Sequence, residues 1–130
     1  MAGTFKFELV TPERMVLSQD ASQVVVPGVE GAFTVLPGHA PVISALRPGV
    51  VDATLGDART IRVFVKGGFA EIGADRVTVL AERALNVEAM DAATISQELQ
   101  AAEADLAAAT GDTEKLAAAS AVEQLKALQR

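Results

Sequence analysis

Apolar and polar residues alternate along the first two thirds of the chain with the two-residue period of half-buried β-strands. Near the N-terminus, Phe5, Phe7 and Leu9 alternate with Lys6 and Glu8. Further apolar runs follow at residues 15–17, 24–26, 33–35, 42–46, 50–55, 61–65, 69–72 and 77–79, and Gly, Pro or Asp residues separate them. Short strands with frequent turns predict an antiparallel β-sandwich of eight to ten strands.

The pattern changes to helical spacing after residue 86. One apolar stripe consists of Ile95, Leu99, Ala102, Leu106 and Ala109, and a second consists of Ala118, Ala121, Val122, Leu125 and Leu128. Asp91 is the predicted N-cap of the first helix, and Gly111 is predicted to end it. The second helix is predicted from Asp112 or Thr113 to Arg130. Two stripes joined by so short a turn predict an antiparallel αα-hairpin. Its alanine contacts bury little area, which leaves permanent docking and detachment both open.

Composition and charge divide the chain at the same place. All five Pro, all five Phe and nine of the ten Gly precede residue 87, whereas residues 87–130 contain fourteen Ala. Residues 1–86 carry nine acids and eight bases, for a charge of −1, and residues 87–130 carry eight acids and three bases, for −5. We therefore predict an α+β protein with a β-sandwich domain at residues 1–86 and a helical hairpin at residues 87–130.

The composition also narrows the classes of function. A net charge of −6 argues against nucleic acid and anionic membrane surfaces as partners. The absence of Cys and the single His exclude disulfides and zinc sites built from thiolates or several imidazoles. No apolar run approaches the ~20 residues of a membrane span, so we expect no membrane insertion. The N-terminus carries neither a signal-peptide nor a transit-peptide pattern.

Motifs for catalysis and nucleotide binding are missing from the sequence. There is no Gly-rich phosphate loop, dinucleotide fingerprint or nucleophile elbow. His39 is the one general-base candidate, and its sequence neighbours supply neither a nucleophile nor an orienting carboxylate. Gly67 and Gly68 predict a tight turn or bulge. We predict no catalytic, cofactor or metal site, and a solvated face for the acids Glu88, Asp91, Glu98, Glu103 and Asp105.

The stretch 29–48 stands out because it contains three of the five Pro and the single His. Pro37 and Pro41 fix φ and remove two amide donors, so the residues between them cannot continue a strand ladder. Gly38, His39 and Ala40 are therefore expected on a stiff projection. Stiffness lowers the ordering cost of binding a partner.

Several motifs in this order resemble the epsilon subunit family of F-type ATP synthases, in its bacterial type the counterpart of the mitochondrial delta subunit. They are Gly28-Val29-Glu30-Gly31, Leu36-Pro37-Gly38-His39-Ala40-Pro41, Lys66-Gly67-Gly68-Phe69-Ala70-Glu71 and Val77-Thr78-Val79-Leu80-Ala81-Glu82. Each motif alone is weak, whereas several in register over nearly the whole chain are specific.

The resemblance implies a non-catalytic rotor subunit of the central stalk of a proton-translocating ATP synthase, on the cytoplasmic face of the bacterial inner membrane. It implies a contact with the gamma subunit at Pro37, Gly38, His39, Ala40 and Pro41. It implies a contact with the c-ring of the membrane sector at Glu30, Gly31 and Ala32. The hairpin is expected to reach the catalytic-ring subunits and to brake ATP hydrolysis, for which resembling inhibitory subunits use basic helix residues. Because this hairpin is acidic, we expect a weak brake.

Two positions depart from the family pattern. Ala32 stands where many relatives carry an acidic residue that meets the c-ring. ATP-binding relatives carry an Asp-x-x-Arg-Ala motif, which in this chain is represented by Asp91, Thr94 and Ile95. Without the guanidinium no fork is available for a phosphate, so we expect no ATP site and interpret Asp91 as a helix cap. The alternative function is a ligand- or carbohydrate-binding β-sandwich module, which the absence of Trp and Tyr disfavours.

Overall fold

The computed structural model describes residues 3–129 of the chain. Within this range lie the strands β1 (Phe5–Val10), β2 (Met15–Gly28), β3 (Gly31–Val35), β4 (Val42–Leu46), β5 (Gly49–Leu55), β6 (Thr60–Val65), β7 (Gly68–Ile72), β8 (Arg76–Ala81) and β9 (Ala84–Asn86). A short 3-10 helix (Val87–Ala89) leads to the helices α1 (Ala92–Ala108) and α2 (Asp112–Leu128). The predicted α+β fold, with a β-sandwich of eight to ten strands followed by a helical hairpin, is confirmed.

The strands form two layers that share β2. Hydrogen bonds connect them in the order β1-β8-β7-β4-β2-β5-β6-β9, with β3 beside β2. The first layer consists of β1, β8, β7 and β4, and the second consists of β3, the second half of β2, β5, β6 and β9. The first half of β2 pairs with β1, from Phe5 opposite Ala21 to Val10 opposite Met15, and so joins the layers. Among the described strands, β1 and β8 are the one parallel pair in an otherwise antiparallel sheet.

The core lies between the layers and consists mainly of Val, Leu and Ala. The first layer contributes Phe7, Leu9, Val77 and Val79, and the second contributes Val24, Val26, Val35, Val51 and Val65. The predicted alternation in β1 is confirmed, because Phe5, Phe7 and Leu9 are buried while Lys6 is exposed. Since successive side chains of a strand point to opposite faces, each layer also has an outer face.

The hairpin covers the outer face of the second layer. The strand register places Val50, Phe64 and Leu85 side by side on β5, β6 and β9. These three side chains pack against Leu99, Ala102, Ala121 and Leu125 of the two helices. Phe64 is therefore fully buried although it alternates with the core residues Val63 and Val65. Neither helix is long and apolar enough to cross a membrane.

Two predicted boundaries differ from the structure. The runs 15–17 and 24–26 belong to the single strand β2 of 14 residues, because no residue between them reverses the chain. Gly111 does not end the first helix: α1 ends at Ala108, and Gly111, with a φ of −97°, is the N-cap of α2. The predicted end of the second helix at Arg130 lies outside the described residues.

A tight turn or bulge was predicted at Gly67 and Gly68; in the structure Gly67 lies between β6 and β7, and Gly68 is the first residue of β7. Their φ angles are 78° and 121°, a region that L side chains rarely adopt. A Cβ on Gly68 would overlap with the carbonyl oxygen of Leu80. Glycine therefore allows β7 and β8 to approach each other at this point.

Candidate functional site

An uncovered row of apolar residues crosses the outer face of the first layer. The strand register aligns its members across β4, β7, β8 and β1, and we call Ala45, Phe69, Leu80 and Val10 the outer apolar row. Phe69 is 53% exposed and Leu80 40% exposed, whereas Ala70 and Val79, which point inward, are fully buried. Ile43 lies on the same face two residues before Ala45 and is 70% exposed. The row thus belongs to the surface of the described chain.

The outer faces of the two layers carry similar rows with opposite exposure. Each row contains a phenylalanine near its middle, flanked by aliphatic side chains. Phe64 is fully buried under the hairpin, while Phe69 has no such cover. Contiguous apolar surface of this kind marks sites where another protein binds.

A cleft of about 1530 Å³ lies between the outer apolar row and the hairpin. Val29, Phe69 and Leu80 line its sandwich wall, and Leu116 and Ala117 of α2 line its hairpin wall. Leu116 is 72% exposed. The outer apolar row therefore continues into a concave surface.

The residues predicted to contact the gamma subunit form the connection between β3 and β4. Gly38 has a φ of 85°, and its amide donates a hydrogen bond of 2.8 Å to the carbonyl of Ala74 in the β7–β8 turn. The amide of His39 donates a bond of 3.1 Å to the carbonyl of Leu36. These bonds hold the connection, including Pro37, Ala40 and Pro41, beside the first layer.

His39 is half-buried within this connection. Its ring centroid lies 6.3 Å from that of Phe33, at an interplanar angle of 35°. Its Nδ1 lies 2.7 Å from the carbonyl oxygen of Ala40. Because a carbonyl oxygen can only accept, this contact requires the proton on Nδ1. The ring thus stabilises the local chain path.

The residues predicted to contact the c-ring form the exposed turn between β2 and β3. Gly31 has a φ of 138°, and Glu30 and Ala32 beside it are exposed. This turn and the 37–41 connection lie at opposite ends of β3. Since β3 contains five residues, roughly 17 Å of strand separates the two predicted contacts.

The segment that resembles a degenerate nucleotide motif begins α1. The carboxylate of Asp91 accepts a hydrogen bond of 2.7 Å from the amide of Thr94, which confirms Asp91 as the N-cap. That amide, and after it the Thr94 hydroxyl, holds the pKa of Asp91 below its ordinary value of 3.8. Ile95 is buried. The three residues together form the start of a helix.

Glu98 does not belong to a solvated face, so that prediction was wrong for this residue. Its side chain is 9% exposed, and its Oε2 lies 2.7 Å from Nη2 of Arg83. Its Oε1 is buried and has no hydrogen-bond partner among residues 3–129. The physical reason is its position, since Glu98 lies three residues after Ile95 and four before Ala102, inside the apolar stripe. The remaining acids of that set are exposed: Glu88, Asp91, Glu103 and Asp105.

The outer apolar row was not predicted as a site, although strand periodicity contains the signal for it. Ala70 and Ile72 share the inward phase of β7, which leaves Phe69 and Glu71 outward. Leu80 is likewise out of phase with the buried residues of β8. Across residues 3–129, no group of three or more His, Asp or Glu side chains is placed to hold a metal ion.

Residues 4–87 match the family described as "ATP synthase, Delta/Epsilon chain, beta-sandwich domain". The chain is 46% identical over 121 residues to an ATP synthase epsilon chain of Rhodospirillum rubrum, which covers 93% of this chain and 90% of that one. It is 42% identical over 129 residues to an ATP synthase epsilon chain of Maricaulis maris, covering 99% and 96% of the two chains.

Two solved structures share the fold. A chain in the cryo-EM structure of Euglena gracilis mitochondrial ATP synthase, OSCP/F1/c-ring, superposes with a TM-score of 0.74 at 20% identity, covering 96% of this chain and 79% of that one. A chain in the Tetrahymena thermophila mitochondrial ATP synthase central stalk/c-ring structure gives a TM-score of 0.67 at 13% identity, with 99% and 98% covered. At these identities the likeness concerns the fold alone.

Proposed function

Because the chain belongs to the delta/epsilon family of ATP synthase subunits, we propose that it is the non-catalytic epsilon subunit of the central stalk of an F-type ATP synthase. In this role it couples the rotation of the gamma subunit to the proton-driven c-ring, while catalysis takes place on other subunits. It is a peripheral part of the complex on the cytoplasmic face of the bacterial inner membrane.

The observation that carries this proposal is the outer apolar row. The hairpin covers the row around Phe64 on the second layer, whereas Phe69 and Leu80 on the first layer remain exposed. A rotor subunit must hold its neighbour against torque, and an apolar patch on a hydrogen-bonded sheet offers area on a stiff support. The row therefore suits a permanent protein contact.

The gamma subunit is the proposed partner of this face. Ile43 lies only two residues after Pro41, so the 37–41 connection continues directly into the exposed part of β4. Pro37, Gly38, His39, Ala40 and Pro41 then form the edge of the contact and the outer apolar row its centre.

The c-ring is the proposed partner of the turn at Glu30, Gly31 and Ala32. The turn lies at the other end of β3 from the 37–41 connection, so the two partners do not compete for one surface. Glu30 supplies the one charge of the turn, because Ala32 carries none. The hairpin is the proposed contact to the catalytic-ring subunits.

Binding to the gamma subunit of the same complex tests the proposal. We expect His39→Ala, at the edge of the contact, to weaken binding severalfold. Phe69→Asp should weaken it about tenfold or more, because it places an unpaired charge in the apolar centre. Isothermal titration calorimetry with purified gamma subunit gives both values.

Arg59→Ala serves as the control, because Arg59 is an exposed residue of the β5–β6 turn in the second layer. It should leave the affinity unchanged. Circular dichroism checks that all three variants keep the fold. Unchanged affinity of Phe69→Asp would remove the outer apolar row from the contact, and a natural chain that binds no gamma subunit would overturn the central-stalk proposal.

A further inference from the structure

Polar contacts of two kinds tie the helices to the sandwich. The hydroxyl of Ser120 on α2 donates a hydrogen bond of 2.9 Å to the carbonyl of Pro48. Arg83, in the turn between β8 and β9, pairs with Glu98 of α1 at 2.7 Å. Of the ion pairs within residues 3–129, this is the one that joins the sandwich to α1 or α2.

Glu98 occupies a position on α1 that an apolar side chain would suit. The residue is 7% exposed and lies within the buried stripe of Ile95, Leu99 and Ala102. Within the described part of the chain its Oε1 is buried without a partner, so the carboxylate depends on Arg83 for compensation. A buried carboxylate is costly unless it is paired.

The two members of the pair have different surroundings. The side chain of Arg83 is 55% exposed, whereas that of Glu98 is 9% exposed. Water can therefore hydrate Arg83 when it is alone, whereas Oε1 of Glu98 stays buried while α1 is docked on the sandwich. Loss of Arg83 leaves a charge inside the interface, and loss of Glu98 does not.

We propose that the Arg83–Glu98 pair is a latch that makes the docked position of the hairpin conditional on Arg83. While the pair is formed, the buried carboxylate is compensated and α1 stays in place. When Arg83 is lost, the hairpin leaves the sandwich, because departure returns water to Glu98. This inference concerns the isolated chain and is independent of the proposed central-stalk function.

Distance measurements by pulsed electron paramagnetic resonance test the latch. Spin labels at Ser18→Cys and Gln100→Cys join an exposed position of β2 to an exposed position of α1. The chain contains no Cys of its own, so the labels attach at these two sites. Hydrogen exchange of the α1 amides is the second measurement. The latched chain should show one distance population.

The three variants of the pair should differ in a set order. Arg83→Gln should add a longer-distance population and accelerate exchange in α1 about tenfold or more, because it leaves the buried carboxylate of Glu98 without a charged partner. Glu98→Gln should have a smaller effect, about threefold or less, because Arg83 can be hydrated. Glu98→Leu combined with Arg83→Gln should restore the docked population, since no charge is then buried.

Arg62→Gln is the matched control, because Arg62 forms an exposed pair with Glu88 at 3.5 Å. Glu103→Gln changes the charge of α1 by the same amount at an exposed position. Both should leave distance and exchange unchanged. The proposal is overturned if Arg83→Gln behaves like Arg62→Gln. It is equally overturned if Glu98→Leu combined with Arg83→Gln does not restore docking. It is also overturned if β7 and β8 lose protection together with α1, since the pair would then stabilise the whole fold.

Discussion

The amide of Thr94 donates a hydrogen bond of 2.7 Å to Oδ1 of Asp91, and this contact closes the first turn of α1. A helix leaves its first amides without partners inside the helix, and the Asp91 carboxylate satisfies one of them. Thr94, which stands where the resemblance implies an arginine in ATP-binding relatives, thus contributes its amide to a helix cap in this chain.

We predict that the hairpin loses helicity as the pH falls below the ordinary pKa range of Asp side chains. The Thr94 amide, and after it the Thr94 hydroxyl, lowers the pKa of Asp91 from 3.8 in the folded chain. A lowered folded pKa contributes stability above the unfolded pKa, and this contribution disappears as the pH falls through the folded pKa. Circular dichroism between about pH 5 and pH 2 measures the loss.

Asp91→Asn is the control for this pH dependence. Asparagine also caps helices, but its side chain does not titrate in this range. The variant should retain the helix and lose less helicity than the natural chain on acidification. Equal acid sensitivity of both chains would show that other carboxylates cause the effect.

The second prediction is that the isolated chain does not bind ATP at millimolar concentration. Thr94 provides no guanidinium, and Ile95 is buried where the motif requires a small residue. Calorimetry should show no saturable heat. Thr94→Arg combined with Ile95→Ala provides the comparison, and we expect weak binding at most. Tight ATP binding by the natural sequence would contradict the interpretation of Asp91 as a cap only.

Phe64 and Phe69 show how far the sequence predicts this fold and its site. Both lie in runs whose alternation predicted strands correctly, because strand periodicity depends on local order alone. Their exposure differs because the hairpin covers one outer face and leaves the other free. Neither run indicates which of the two outer faces the helices will cover. That the outer apolar row is left uncovered therefore became recognisable only in three dimensions.

Glu98 is a second residue whose surroundings were not predicted from the sequence. Its spacing from Ile95 and Ala102 places it in the apolar stripe, which periodicity could have shown. Its partner Arg83 lies outside the hairpin, in a turn between two strands. Because no sequence rule pairs these two residues, a solvated carboxylate was the default expectation.

The third prediction concerns Gly68. Its φ is 121°, and an added Cβ would overlap with the carbonyl oxygen of Leu80. Gly68→Ala should therefore reduce the free energy of unfolding by about 3 kcal/mol, since β7 and β8 must separate. Gly73→Ala is the matched control in the turn between these strands. An added Cβ there would lie 3.7 Å from the carbonyl oxygen of Arg76, which is an ordinary van der Waals distance. Urea denaturation should show a change of about 0.5 kcal/mol or less for the control.

The fourth prediction is that residues 1–86 fold without the hairpin and still bind the gamma subunit. The last strand, β9, ends at Asn86, and the core cluster between the layers contains no residue from the helices. A chain ending at residue 86 should show a cooperative thermal transition. Its midpoint should be lower than that of the full chain, because Phe64 loses its cover.

Phe64→Thr in the shortened chain separates folding from self-association. Threonine keeps a high strand preference while removing the newly exposed aromatic ring. The substituted chain should remain monomeric at concentrations where the unsubstituted one associates, as light scattering measures. A shortened chain that lacks strand structure by circular dichroism would show that the sandwich requires the hairpin.

The last prediction is that the hairpin is a weak brake on ATP hydrolysis. The resemblance implies that inhibitory hairpins present basic helix residues to acidic loops of the catalytic ring. Residues 87–110 contain five acids and no base, and the bases Lys115, Lys126 and Arg130 are balanced by three further acids. An extended hairpin would also release the carboxylate of Glu98 from Arg83. Like charge lowers both the encounter rate and the affinity.

Deleting residues 87–130 and measuring ATP hydrolysis by the reconstituted complex tests this brake. A loss of ~1.4 kcal/mol from the extended state lowers its population tenfold, so we expect the deletion to change the rate less than about twofold. A large activation would show that the hairpin inhibits despite its charge. Glu103→Lys combined with Asp105→Lys reverses two exposed charges of α1. If the acidic charge of the hairpin limits inhibition, this variant should inhibit hydrolysis more than the natural chain does. An unchanged rate would show instead that inhibition is weak because the hairpin stays docked on the sandwich.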